Sequence, residues 1–139
     1  MPTLRNEQRI DATPDDVWRL LGDLESTPQW IPGVTEASVT GDSRVCRTAD
    51  GHEIRERIHA YDAGLRTWSY EQSVVPLPIT GSVGTLAVQP DGDGARVEWE
   101  ARFEVADGAD EAELVPMIDG YYRQTLDQLR RRVEGETDA

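Results

Sequence analysis

From residue 34 to about 104 apolar side chains recur at every second position, and from Asp110 to Val133 they recur at every third or fourth. This change of period restricts the chain more than any other feature. A period of two is a strand with one buried face, and a period near 3.6 is an amphipathic helix. The clearest strand has Val97, Trp99, Ala101 and Phe103 alternating with Arg96, Glu98, Glu100 and Arg102. The helical stripe is Leu114, Ile118, Tyr122, Leu126, Leu129 and Val133, widened by Val115, Tyr121 and Thr125, with Pro116 in or near the first turns. A meander of antiparallel strands buries one face only, and no other segment is long enough to cover it. The expectation is an α+β fold: about six or seven curved antiparallel strands gripping a long C-terminal helix, with space left beneath it.

Turn signals place the remaining elements. "LRNEQRI" reads as a first strand. In "DATPDDVWRLLGDL" Thr13 can cap a helix, Pro14 suits its first position, and Asp15 and Asp16 favour its positive end. Gly22 ends or interrupts it, and a second short helix starts at Thr27-Pro28 and stops at Pro32-Gly33. Hairpins are expected at Asp50-Gly51, at Ala63-Gly64 and in "PDGDG", while the prolines of "VVPLPITG" make that stretch a loop. With no repeat and no linker, residues 1–139 read as one domain whose last six residues, 134–139, form a disordered tail.

Composition narrows the partners. A net charge of −13 and a pI of about 4.4 argue against nucleic acid and against an anionic membrane surface. All 14 basic residues are arginine, so Schiff-base chemistry on a lysine is excluded. One cysteine, Cys46, allows no internal disulfide, and with two scattered histidines it makes no metal site. No cofactor motif is present. The N-terminus lacks an apolar leader core and no run reaches membrane-spanning length, so a cytoplasmic location without membrane insertion is expected.

The segments "IDATPDDVWRLLGDLESTPQWIPGV", "ERIHAYD", "WSYEQSVVPLPITGSVGTLAVQP" and "VEWEARFE", followed by the last helix, resemble the START/Bet v 1-like (SRPBCC) superfamily, and within it the polyketide cyclase/dehydrase group. The resemblance covers about residues 3–132. It implies a helix-grip fold with a cavity between sheet and C-terminal helix for a small, largely apolar molecule, polyketide-like or aromatic. It does not decide function, because the superfamily holds cyclases, hydrolases, lipid carriers, hormone receptors and chaperone regulators. "RTADGHEIRERIHAYD" is also similar to the plant abscisic-acid receptors, in which an arginine and a cavity-facing glutamate occupy the places of Arg47 and Glu56. "VVPLPIT" matches one of their two closing loops; the other is replaced here by the tight Ala49-Asp50-Gly51 turn.

Glu56 interrupts the apolar row His52, Ile54, Ile58 and Ala60 of its strand. If Asp50-Gly51 is a two-residue turn, Arg47 faces Ile54 and lies one diagonal step from Glu56. If the next loop is Asp62–Gly64, Tyr70 faces Glu56, Trp68 faces Ile58 and Gln72 faces Ile54. Arg47, Glu56, Tyr70 and Gln72 then share one inner patch. Two readings stay open: the polar end of a cavity, or a structural ion pair or slipped register.

On the cavity reading, Glu56 is an acid or base for cyclisation or dehydration, with Tyr70 and Arg47 stabilising negative charge. Trp30, Trp68, Gln72, Leu77, Ile79, Trp99, Ile118 and Tyr122 would bind the ligand, in a cavity of a few hundred Å³ with its mouth near Pro76–Ile79. The same residues would serve a non-catalytic binding or carrier protein, and the tryptophans would serve a plain core. A docking module without small-molecule chemistry is a third reading, disfavoured by a polar inner patch. The register points Cys46 and His52 to opposite faces, so they form no thiol pair.

Overall fold

The computed structural model of the chain describes residues 2–135. In order it forms β1 (Thr3–Ile10), α1 (Pro14–Leu21), a 3-10 turn (Thr27–Gln29), β2 (Val34–Thr40), β3 (Ser43–Thr48), β4 (Glu53–Asp62), β5 (Thr67–Val74), β6 (Ile79–Asp91), β7 (Gly94–Val105) and α2 (Glu111–Val133). The second of the two expected helices is thus a single 3-10 turn. The helix starts follow the sequence signals. Thr13 Oγ1 accepts the Asp16 N–H at 3.1 Å, and Asp110 Oδ1 accepts that of Ala112 at 3.1 Å. Pro116 lies inside α2, past its first turn.

The strands form one antiparallel sheet in the order β1-β7-β6-β5-β4-β3-β2. Bulges interrupt the ladder within β2, within β4 at His59, within β5 at Ser73 and within β6, and such insertions increase twist and bend a sheet around what it covers. The inner face of β7 buries Ala95, Val97, Trp99, Ala101 and Phe103 in one core with Leu114, Ile118, Tyr122, Leu126 and Leu129 of α2. Each large side chain so buried stabilises by roughly 1.5–3 kcal/mol before chain entropy is set against it. Asn6 Nδ2 donates to Asp119 Oδ1 at 3.0 Å, tying β1 to α2.

Of the expected tail, residues 136–139 lie outside the described residues. Its first residue is anchored: Glu134 Oε2 accepts the Asp11 N–H at 2.9 Å.

Two hairpins depart from the expected register. Between β3 and β4 the loop has three residues, Ala49, Asp50 and Gly51, because the Thr48 N–H donates to His52 O at 3.0 Å and Gly51 takes φ +87°. Thr48 holds this turn, its hydroxyl bonding Asp50 and accepting the His52 N–H at 3.0 Å. Arg44 therefore faces Glu56, and Arg47 faces Glu53. Between β4 and β5 the loop is also longer, and Asp62 pairs with Thr67. At the loop the offset is odd, with Tyr61 opposite Trp68, but the bulge at His59 takes one residue back, so beyond it the faces are preserved while partners change: Gln72 lies opposite Glu56, and Tyr70 opposite Ile58.

Candidate functional site

The one-residue slip between β3 and β4 exchanges the faces of β3. Arg47, expected inside, is on the outer face with its side chain 62% exposed, beside Glu36 and Glu53. Arg44 takes the inner position. Its side chain and that of Glu56 are only 4% and 6% exposed. The same slip turns Cys46 inward, where it is buried, while His52 stays exposed at the turn.

Arg44 and Glu56 head a buried polar network. Arg44 Nε and Nη2 donate to Glu56 Oε1 at 2.9 and 2.5 Å. Arg44 Nη1 donates to Leu24 O and Thr27 Oγ1, both at 3.2 Å, which binds the pair to the loop after α1. The other carboxylate oxygen, Oε2, accepts from Gln72 Nε2 at 2.9 Å, and Ser82 Oγ donates to Gln72 Oε1 at 2.7 Å. The guanidinium carbon sits 4.9 Å from the ring centre of Trp68, a cation–π contact in a dry setting. Among the described residues no buried side-chain nitrogen or oxygen lacks a partner.

Aromatic rings form the rest of the site. Trp99 stacks on Tyr122 with centroids 4.1 Å apart, and Trp99 Nε1 donates to the Tyr70 hydroxyl at 3.0 Å. Trp68 Nε1 donates to Leu21 O at 3.2 Å, and Trp30 Nε1 to Ser26 Oγ at 3.1 Å. Gly84, opposite Tyr70 on β6, leaves the room that the phenol ring fills. Burial pushes the Tyr70 hydroxyl well above the usual phenol range, with Tyr122 and Glu56 adding to the effect. Burial likewise raises Tyr122 to about 12 and raises the Cys46 thiol, which the nearby Arg44 pulls the other way. Both phenols are therefore neutral hydrogen-bonding groups near neutral pH.

These residues enclose a cavity of about 60 Å³, lined by Arg44, Glu56 and Gln72, by Trp30, Trp68, Tyr70, Trp99, Tyr121 and Tyr122, and by Thr27, Ile31, Val34, Cys46, Ile54 and Leu86. That exceeds the roughly 10–15 Å³ needed to hold a single water on this measure. The volume is well below the few hundred Å³ expected, because the aromatic rings occupy the space under α2. Leu77, Ile79 and Ile118 pack in or against the core and do not line it. The mouth expected near Pro76–Ile79 is instead a separate open groove of about 350 Å³, and Gln72 is common to its lining and that of the cavity. At the cavity rim the Tyr121 hydroxyl donates to Pro32 O at 2.9 Å and joins α2 to the loop before β2. Of the tyrosine pair, Tyr122 is buried and Tyr121 is 37% exposed.

Sequence reading therefore placed Glu56, Gln72, Trp30, Trp68, Tyr70, Trp99 and Tyr122 around one space. It misassigned Arg47 and missed Arg44, Thr27, Cys46 and Ser82. The available signal was Gly51 in third place of "ADG", which fits a three-residue hairpin as well as Asp50-Gly51 fits a two-residue one. Among the described residues no group of three or more His, Cys, Asp or Glu is placed to hold a metal ion, and no helix is long and apolar enough to cross a membrane.

The model of the family described as "polyketide cyclase / dehydrase and lipid transport" matches residues 1–134. The chain belongs to that family. This polyketide cyclase/dehydrase family chain is similar to an uncharacterized protein from Bacillus thuringiensis, at 24% identity and TM-score 0.88 over 96% of this chain and 99% of the other. Protein XoxI from Bacillus cereus is 26% identical, with TM-score 0.87 over 96% of each chain. A START superfamily protein from Mycobacterium smegmatis shares the fold at 15% identity, TM-score 0.76, over 97% of this chain and 99% of the other. A search of curated proteins finds no match. The curved seven-stranded sheet and long C-terminal helix are the helix-grip fold that this family member shares with START and Bet v 1 proteins.

Proposed function

We propose that the chain binds a small, largely apolar molecule, aromatic or polyketide-like, in the cavity between the sheet and α2. The observation that supports this is the pairing of an aromatic wall with one neutralised polar end, Arg44–Glu56, at the only place where the core keeps a buried ion pair among the described residues. A filled core has no use for such a pair, since apolar residues of similar volume are often as stabilising. Binding is favoured over cyclisation or dehydration by the engagement of Glu56. Both its oxygens accept hydrogen bonds, from Arg44 and Gln72, so it is a poor free base until a ligand displaces one of them. At about 60 Å³ the cavity is smaller than the roughly 150 Å³ that admits benzene, so even a single-ring ligand requires the rim at Tyr121 to open.

Calorimetric titration with phenol and anisole tests the reading. One-site, saturable binding is expected in the native chain. It is expected to disappear in Cys46→Leu, which fills the cavity and keeps both charges of the ion pair. Binding that survives this filling, or no binding by either probe, would sink it.

A further inference from the structure

The polar end of the cavity also selects ligands by charge, and this inference rests on the binding role proposed above. A carboxylate offers about four lone-pair positions and a guanidinium five N–H donors. Glu56 has three positions filled, two on Oε1 by Arg44 and one on Oε2 by Gln72. Arg44 has four donors engaged, on Glu56, Leu24 O and Thr27 Oγ1. The network leaves one acceptor position on Glu56 and one N–H on Arg44, and its net charge is already zero. The chain has no lysine to add a cation, and the phenols of Tyr70 and Tyr122 stay neutral. An anionic ligand would bring an uncompensated charge into a dry, ring-lined space beside a carboxylate, which costs far more than a neutral hydrogen bond returns.

We infer that the cavity takes neutral aromatic molecules bearing a hydroxyl or amide N–H donor, which bonds Glu56 Oε2 beside or in place of Gln72, and that it rejects carboxylates. Gln72 is then the specificity-determining residue. Its side-chain amide, bonded to Glu56 at one end and to Ser82 at the other, is the internal mimic of the ligand's polar group, and it also lines the neighbouring groove.

The test uses benzamide, benzoate and toluene, which have nearly one shape and differ in charge and donor. Titrations are followed by the indole N–H resonances of Trp30, Trp68 and Trp99, with Trp18, which does not line the cavity, as the outside reporter. About 0.5 M salt shortens the screening length to a few Å, so the net charge of −13 does not repel benzoate at a distance. Benzamide is expected to move the three cavity indoles, bind at least tenfold more tightly than benzoate, and bind more tightly than toluene. In Gln72→Ala, which keeps both charges, benzamide affinity is expected to rise at least threefold with benzoate unchanged. In Glu56→Gln, benzoate is expected to overtake benzamide on the freed Arg44. A benzamide-to-benzoate ratio below tenfold, toluene binding best, or no gain in Gln72→Ala overturns the inference and leaves cavity binding intact. If none of the three probes moves the cavity indoles, or only Trp18 responds, cavity binding itself falls and the inference with it.

Discussion

Arg44 Nη2 lies 2.5 Å from Glu56 Oε1, in a setting where neither side chain is more than 6% exposed. Removing one partner strands the other charge in low dielectric, at a cost of about 3–5 kcal/mol. Arg44→Ala is therefore expected to lower stability by that amount in urea denaturation. Arg47→Ala, removing an exposed arginine three residues on, is expected to change it by less than about 0.5 kcal/mol. The double change Arg44→Met with Glu56→Leu is expected to recover most of the loss. Equal costs for Arg44→Ala and Arg47→Ala would mean that β3 pairs in the other register.

Tyr121 closes the rim of the cavity through Pro32 O, and Cys46, the one cysteine of the chain, lies buried within. Thiol labelling of Cys46 thus reports opening of the rim. Tyr121→Ala is expected to speed labelling at least tenfold while global stability, measured separately, falls by about 1 kcal/mol or less. An unchanged rate would show that Cys46 is reached by another route, or only on unfolding.

Gly84 is needed for space rather than for backbone freedom. A Cβ there would run into the ring and hydroxyl of Tyr70, which is itself held by Trp99. Gly84→Ala is expected to destabilise by about 1–3 kcal/mol and to shift the Trp99 indole resonance as its hydrogen bond to Tyr70 breaks. A native melting temperature together with an unmoved indole signal would count against this packing.

Alkaline pH should weaken the fold through its buried phenols. Tyr122 is raised from 10.0 to about 12, chiefly by burial. The unfolded chain therefore releases this proton first, and above pH 10 unfolding is increasingly favoured until the folded group also titrates near 12. The contribution is fully present below pH 10 and amounts to roughly 2–3 kcal/mol. Tyr70, raised in the same direction, acts with the same sign. Tyr122→Phe is expected to flatten the decline of stability between pH 10 and 12, monitored by circular dichroism in urea. A decline just as steep in that variant would assign the effect elsewhere.

The sequence by itself determined the order of the elements and the type of all but the second short helix, which is a single 3-10 turn. The period-two run, the change of period at Asp110 and the cap at Thr13 are local properties, which act through contacts only a few residues apart. It also marked Glu56 as out of place, because a carboxylate in an apolar row is visible without knowing what lies across from it. Which arginine answers that carboxylate was decided only by the tertiary structure. "SRVCRT" offers Arg44 on one face and Arg47 on the other, and both rows contain a small apolar residue, Cys46 or Val45, so hydrophobic alternation does not choose between them. The choice fell to one extra residue in the Ala49–Gly51 loop, held by Thr48, and a slip of one residue exchanges every side chain between core and solvent. The β4–β5 loop is longer than expected by an odd offset as well, but the bulge at His59 takes one residue back, so Tyr70 and Gln72 keep their face. The size of the cavity was beyond the sequence for another reason. It is what remains after Trp68, Tyr70, Trp99 and Tyr122 have packed against one another, and those contacts join β5, β7 and α2, elements far apart in the chain whose spacing is set by the curvature of the whole sheet.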